Sequence, residues 1–430
     1  MLLEENLEFA FAGSTKPARS KAPLHEQLLG FSDFNKVTRV INSQFTLQNS
    51  EPSLSVPIYV NEYWTAKQRA AHSLHEISYR ACFKPQLPRF FIERLTEPGD
   101  VVYDPFTGRG TTALEAALLG RVPLGCDINP LSVFLTAPRL SPPVLGEITT
   151  RLRDLDLSGH DELPEELLVF YHRETLKELC ALKKYLLERR DANELDSIDR
   201  WIWMMAINRL TGHSPGFFSV YTLPPNQAVS VQSQKRINEQ RSQKPAYRNV
   251  ADLICRKTRN LLSDCDTKTR RILSTVAPRA RLITGDSSAT PDIADESVSL
   301  VVTSPPFLDV VDYATDNWLR CWFIGIDAKS VRLTVPKKLE AWQSAMKKVF
   351  CELRRVLRRG GHIAFEVGEV RGGKVKLEEA VVPVAVEAGL NPLLILINDQ
   401  KFTKTANCWG VDNNSKGTNT NRIVVFRNEK

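Results

Sequence analysis

Ser304-Pro305-Pro306-Phe307 follow directly on the apolar run Ser299-Leu300-Val301-Val302-Thr303. Neither proline can donate a backbone hydrogen bond, and each fixes its own φ. A strand that ends this way presents rigid carbonyls, a hydroxyl and a flat ring within four residues. Such a corner can hold an exocyclic amino group by accepting its hydrogens while the ring stacks on the attached base. Alone, the tetrad is equally a proline-capped strand end with a core phenylalanine. A second motif tips the balance. Val101-Val102-Tyr103-Asp104-Pro105-Phe106-Thr107-Gly108-Arg109-Gly110-Thr111-Thr112 runs from a β-rich stretch through a glycine turn into the helix-forming Ala113-Leu114-Glu115-Ala116-Ala117-Leu118-Leu119. Backbone N–H groups at a strand–turn–helix junction can approach an anionic or polar ligand group. Gly108 and Gly110 add no side chain to obstruct it. Val122-Pro123-Leu124-Gly125-Cys126-Asp127 then ends in a carboxylate placed to accept from a ribose diol.

By glycine spacing alone, Gly108-x-Gly110-x-x-Ala113 suits NAD as well as any other nucleoside cofactor. The two motifs together, DPFTGRGTT and TSPPF, closely resemble the cofactor loop and catalytic tetrad of the amino-methylating DNA methyltransferases. That family modifies cytosine N4 or adenine N6 with S-adenosylmethionine. The resemblance covers roughly residues 75–140 and 280–428 and is thinner over the first 70 residues and the middle of the chain. It implies that Asp104, Phe106, Gly108, Gly110, Thr111 and Thr112 surround the methionine part of S-adenosylmethionine. Asp127 is implied for the ribose, and Asp286, which closes the next strand, for the adenine amino group. Phe83-Lys84-Pro85 resembles the family's additional cofactor motif, although these residues also suit a plain helix start. At the tetrad, the Ser304 hydroxyl and Pro305 carbonyl are the implied acceptors, with Pro306 shaping the corner and Phe307 stacking on the base.

The elements that position these residues follow from hydrophobic patterning. Seven strands are expected near 101–104, 122–127, 281–286, 298–303, 362–368, 392–398 and 422–428. Helical stretches separate most of them, which implies an α/β fold with a largely parallel sheet covered on both faces. Only the Gly/Asn/Thr-rich loop 407–421 separates the last two strands, so the final one is expected antiparallel. With the family resemblance this becomes a Rossmann-like methyltransferase fold plus a helical insert. The expected organisation is a partly loose N-terminal extension, 1–70, a catalytic domain formed by 71–139 and 280–430, and an inserted helical subdomain, 140–279. So long an interruption cannot be a loop. In the family the target-recognition region usually stands elsewhere, so the insert is a departure, and it is expected to read DNA.

Bulk properties narrow the classes. The 430 residues carry 42% hydrophobic and 25% charged residues, as an ordinary globular protein does. Its eight cysteines make no CxxC pair and no zinc spacing, so they are expected as reduced thiols in a cytoplasmic protein. The acidic Met1-Leu2-Leu3-Glu4-Glu5-Asn6 start and the lack of a long apolar run argue against a signal peptide or membrane span. Net charge is +7, yet Lys235 to Arg281 holds 13 Lys/Arg against 4 Asp/Glu. Beside a base-modifying motif, that run is expected to meet phosphate.

The leading reading is methylation of cytosine N4 in double-stranded DNA by base flipping and direct in-line transfer, without a metal. Serine at the first tetrad position leans toward cytosine, and N6-adenine is the alternative. A cognate restriction endonuclease is a possible partner. C5-cytosine chemistry lacks its Pro-Cys nucleophile. A nicotinamide oxidoreductase lacks a Tyr/Lys or His hydride-transfer site. A silent nucleic-acid-binding module is disfavoured by intact motifs. Asp309, Asp312 and Tyr313 are further pocket candidates, and the last loop's Asn407, Asn413, Asn414 and Asn419 suit either contact with nucleic acid or plain turns.

Overall fold

In the computed structural model the described residues are 22–47, 50–64, 71–79, 82–158, 162–222, 228–306, 313–331, 336, 338–370, 375–399 and 421–430. The strands in chain order are β1 (Arg39–Leu47), β2 (Ser50–Asn61), β3 (Val101–Asp104), β4 (Val122–Asp127), β5 (Arg281–Thr284) and β6 (Val298–Thr303). They continue with β7 (Leu357–Val367), the short β8 (Glu369–Val370) and β9 (Val375–Lys376), β10 (Asn391–Asn398) and β11 (Asn421–Arg427). All except β8 and β9 join one nine-stranded sheet, in the order β1-β2-β10-β11-β7-β6-β3-β4-β5.

Every strand expected from the sequence is present. β3 runs parallel to β4 and β6, β4 to β5, and β6 to β7, whereas β11 is antiparallel to both β7 and β10. The α/β class and reversed last strand therefore stand. The strand count does not. β1 and β2 pair antiparallel, and β2 lies parallel to β10. The region expected to be a loose extension thus widens the sheet from seven strands to nine. Its return path is also packed. Phe31, Tyr63 and Trp64 are buried against Phe90 and Phe91, and Asn398 Oδ1 accepts from the backbone N–H of Tyr63 at 2.7 Å. Within the stretch read as loose, Leu24–Leu29 forms a helix; residues 1–21 lie outside the described residues.

Side-chain alternation along the strands fills two layers. Val102, Leu300, Val302, Ala364, Leu396 and Val425 pack on the helix Gln86–Leu95 through Leu87, Phe90 and Phe91. Tyr103, Val301, Ile363, Phe365, Val424 and Phe426 face the helices Leu339–Val356 and Leu377–Glu387. The period of two carries each strand's alternate residues into opposite cores. Between β4 and β5 come the helices of the insert, with Arg173–Asp191, Ser197–Ile207 and Val250–Leu261 as its centre. They share one apolar cluster with Leu131 and Leu135 of the helix after β4, so the insert is packed onto the α/β unit and has no separate core. Among the described residues, no helix is long and apolar enough to cross a membrane.

Phe350 is fully buried, with its ring 4.8 Å from Phe365 and 5.5 Å from Phe426. Phe350→Ala is expected to destabilise the protein by about 3–5 kcal/mol, read as a lower urea midpoint with an unchanged slope.

Candidate active site

The strand order reverses between β3 and β6, whose C-terminal ends carry the two motifs. A crevice opens at such a point because the following connections leave in opposite directions. Here one hydrogen bond joins the motifs: the Thr303 hydroxyl donates to Asp104 Oδ1 at 2.6 Å. The same oxygen accepts from Phe106 N at 3.1 Å, closing the turn, while Asp104 Oδ2 is buried without a hydrogen-bond partner. Burial outweighs the bonds from Thr303 and Phe106 and pushes the Asp104 carboxyl up to about 7. Thr112, buried on the first turn of helix Thr111–Leu118, donates to the Val302 carbonyl at 3.0 Å and ties the cofactor turn to β6 a second time.

Asp127 at the tip of β4 accepts from Gly108 N at 2.7 Å through Oδ2 and from Asn129 N at 2.9 Å through Oδ1. Burial raises its pKa. A carboxylate offers about four lone-pair sites, so acceptor capacity remains for a diol. The turn after β5 closes the cluster: Gly285 N donates to the Asp127 carbonyl at 3.0 Å, and the Ser287 hydroxyl donates to the Pro105 carbonyl. Asp286 between them is exposed, and its Oδ1 accepts from Ser288 N at 2.8 Å. The fold therefore gathers Asp104, Phe106, Gly108, Asp127 and Asp286 at one sheet edge.

Other expected residues have internal jobs. Gly110 was read as leaving room for a ligand, yet its φ is +75° and an added Cβ would fall 2.1–2.8 Å from Thr136 atoms. Its missing side chain serves packing on the helix Leu131–Leu140. Thr111 accepts from Arg109 Nε at 3.1 Å. Lys84 and Pro85 start the helix Gln86–Leu95, with Leu87 N donating to the Lys84 carbonyl at 3.0 Å. At the tetrad, Pro305 is buried, and the Pro306 carbonyl accepts from Trp342 Nε1 at 2.9 Å, which locks the corner. Phe307, Asp309, Asp312 and the four asparagines of the last loop lie outside the described residues.

Sequence reasoning missed four contributors. Glu366 on β7 is buried and accepts a hydrogen bond from Asn421, and burial, opposed by Asn421 and Ser304, raises its carboxyl to about 7. Tyr79 lies 3.9 Å from where a Cβ on Gly108 would stand, and its hydroxyl accepts from Asn129 Nδ2 at 3.4 Å. Arg139, fully buried, donates to the carbonyls of Leu135, Leu74 and Arg109, clamping the glycine turn from below. Glu366 was detectable as a lone acid inside an apolar strand; Tyr79, Asn129 and Arg139 gave no local signal.

The acceptor-lined turn fits a polar nucleoside ligand carrying an amino group, since Asp104 Oδ2 is an unpartnered buried acceptor within it. Among the described residues no group of His, Cys, Asp and Glu side chains is arranged to hold a metal.

A family model described as DNA methylase matches residues 14–134. The match starts well upstream of the region where the motif resemblance begins, and it includes β1 and β2. The chain is 22% identical over 306 residues to the type II methyltransferase M.BsoBI of Geobacillus stearothermophilus, covering 63% of this chain and 56% of that one. It is 30% identical over 116 residues to the type II methyltransferase M.MvaI of Kocuria varians, covering 26% and 24%. The chain thus spans about half, or less, of the length of these relatives. Among solved structures, the rRNA methyltransferase aviRa of Streptomyces viridochromogenes is 13% identical with a TM-score of 0.33, covering 84% of this chain and 91% of that one.

Asp104→Asn keeps the acceptor for Thr303 and removes the ionisation. A carboxyl with a raised folded-state pKa stabilises the fold below its unfolded value and loses that contribution as pH rises toward the folded value. The variant's stability relative to wild type is therefore expected to climb between pH near 3.8 and about 7. Thermal unfolding at pH 5 and pH 8 measures it, and a constant difference would contradict the burial of this carboxyl.

Proposed function

We propose that this chain, whose matches support the amino-methylating DNA methyltransferase family, transfers a methyl group from S-adenosylmethionine to cytosine N4 in double-stranded DNA. The observation that carries the reading is the Thr303–Asp104 bond, which sets the cofactor turn and the Ser-Pro-Pro corner side by side. The residues present fit the cofactor. Asp104 offers its free Oδ2 to the amino acid part, Asp127 its remaining acceptor sites to the ribose, and Asp286 its exposed carboxylate to the adenine amino group. Lys84 and Pro85 flank this region through the helix they start. When bound, S-adenosylmethionine supplies a methyl group already activated on a sulfonium.

The protein's contribution is alignment and proton handling. An amino group conjugated to a base is a weak nucleophile because its lone pair is delocalised into the ring. Hydrogen bonds from its two N–H groups to the Ser304 hydroxyl and the Pro305 carbonyl draw the nitrogen toward sp³ geometry. Fixing both reactants removes most of the remaining barrier, as far as positioning can. Trp342 holds the corner rigid through the Pro306 carbonyl. The methylated nitrogen must lose a proton, and Ser304 can take it while passing its own to Glu366, the buried carboxylate beside it, since Thr303 pairs with Phe365 across β6 and β7. Phe307 stacks on the base, which must leave the duplex at a cost of about a few kcal/mol. The proposed partner is a cognate restriction endonuclease, and the proposed location is the cytoplasm; the type II methyltransferases among the relatives support this reading.

Incubation of the protein with labelled S-adenosylmethionine and unmethylated DNA, followed by nucleoside mass spectrometry, is expected to yield N4-methylcytosine. N6-methyladenine would keep the chemistry and replace the base; 5-methylcytosine, or label in RNA alone, would overturn the reading. Ser304→Ala is expected to lower kcat moderately, because the Pro305 carbonyl remains.

Glu366→Gln tests the proton route separately. Wild-type kcat is expected to rise as pH increases through about 7, where Glu366 becomes the base form. The variant is expected to be slower and to lack that rise; an identical pH profile would remove Glu366 from catalysis.

A further inference from the structure

Several of the insert's arginines are paired with carboxylates. Arg151 is paired with Asp196 and Asp199, Arg189 with Asp199 and Glu194, and Arg190 with Asp191. Arg209, Arg241 and Arg248 have no carboxylate partner among the described residues. All three instead hold one short loop. The Arg209 guanidinium lies 4.0 Å from the Phe217 ring centroid, and that of Arg241 lies 3.8 Å from the Tyr221 centroid. Arg248 donates to the Pro215 carbonyl at 2.9 Å, and its buried Nε has no partner. Stacking on a ring face fixes a guanidinium without neutralising it and leaves N–H groups for an anion.

The loop itself is stiff. Gly212 and Tyr221 form a β-bridge, and Phe218 N donates to the Arg209 carbonyl at 2.8 Å. An added Cβ on Gly212 would fall 2.3 Å from the Phe217 ring, so the turn accepts only glycine there. His213 and Pro215 are exposed at its tip, while Phe217, Phe218 and Ser219 anchor it inside.

Its flanks are bonded to both halves of the catalytic edge. Asn208 Oδ1 accepts from Ser78 N at 2.9 Å, next to the Tyr79 that touches the cofactor turn. On the other flank, Ala228 N donates to the Asp316 carbonyl at 2.9 Å, and Trp318 Nε1 donates to the Val229 carbonyl at 3.2 Å. Asp316 and Trp318 belong to Tyr313–Ile324, the helix that follows the tetrad.

The later part of the basic run is placed differently. Lys257 is only 12% exposed and lies 4.0 Å from Glu76, and Arg270 donates to the Pro142 and Pro143 carbonyls. The helix Thr267–Val276 leads toward the start of β5, with Ile272 4.0 Å from a Cβ position on Gly120, just before β4. Arg271, Arg279 and Arg281 therefore sit toward the N-terminal edge of the parallel strands, opposite Asp104 and Thr303.

Resting on the methyltransferase reading above, we infer that the loop Gly212–Tyr221, with Arg209, Arg241 and Arg248, takes the phosphate backbone of duplex DNA beside the reacting base. Salt-dependent binding of the full chain to a random-sequence duplex tests this without turnover. Arg241→Gln/Arg248→Gln is expected to lower the slope of log K against log salt by roughly 0.9 per lost phosphate contact. It is also expected to raise KM for DNA more than it lowers kcat, and Arg241→Lys/Arg248→Lys should restore the slope. Arg271→Gln/Arg279→Gln should keep the wild-type slope. An unchanged slope in the first variant, or a loss confined to the Arg271/Arg279 variant, would overturn the inference. The two ideas fail separately: a wild type with the expected slopes that methylates no DNA base supports the loop's role and removes the proposed reaction.

Discussion

One buried hydrogen bond, from the Thr303 hydroxyl to Asp104 Oδ1, is the constraint on which the site depends. Neither residue can meet the other unless β3 and β6 are neighbours in register, as Tyr103 opposite Val301 makes them. The bond leaves Asp104 with one satisfied and one bare oxygen in a region that raises its pKa. A buried acceptor without a partner is expensive in a folded chain. Keeping one is reasonable where a ligand will supply the missing donor. The same short parallel pairing brings Thr112 under Val302 and sets Ser304 one residue past the strand end, so backbone geometry transmits the position of one motif to the other.

The parts of this arrangement visible in sequence were those with local signatures. Apolar β-branched runs bounded by Gly, Asp, Asn or Pro marked seven of the sheet's nine strands, and the gathering of Asp104, Gly108, Asp127 and Asp286 followed from strand ends. β1 and β2 escaped notice because Arg39–Leu47 mixes polar and apolar residues, and Pro52 and Pro57 in β2 read as strand breakers. Pro57 is tolerated opposite Asn42 because β2 has its other neighbour only farther along, from Ile58 onward. Gly110 shows the opposite failure. Its type was noticed, but its reason, Thr136 on a later helix, is a tertiary fact. The charge run was equally ambiguous, since sequence counts cations and cannot tell an arginine serving two proline carbonyls from one laid on a tyrosine.

The insert's integration follows from composition as well. Trp201 and Trp203 are fully buried, and Trp201 Nε1 donates to Thr258 Oγ1 at 3.0 Å, which joins the helices Ser197–Ile207 and Val250–Leu261 at the insert's centre. Phe134, on the helix after β4, meets Trp203 with ring centroids 4.9 Å apart. An insert packed in this way against the helix after β4 cannot rotate freely against the sheet. Its contacts at Ser78 and Asp316 are extensions of one packed body.

The N-terminal hairpin has a consequence for biosynthesis. β2 finds its second neighbour in β10, where Ile58 faces Ile395, so partners far apart in sequence must meet. While the ribosome works through the insert, the inner edge of that hairpin has unmatched amides and carbonyls, and its outer strand shows Val40 and Ile41 to water. Pairings this distant in sequence are slow to form, and unpaired strand edges invite association between chains. The nascent protein is therefore most vulnerable to misassembly between synthesis of β2 and synthesis of β10, whose pairing closes the sheet.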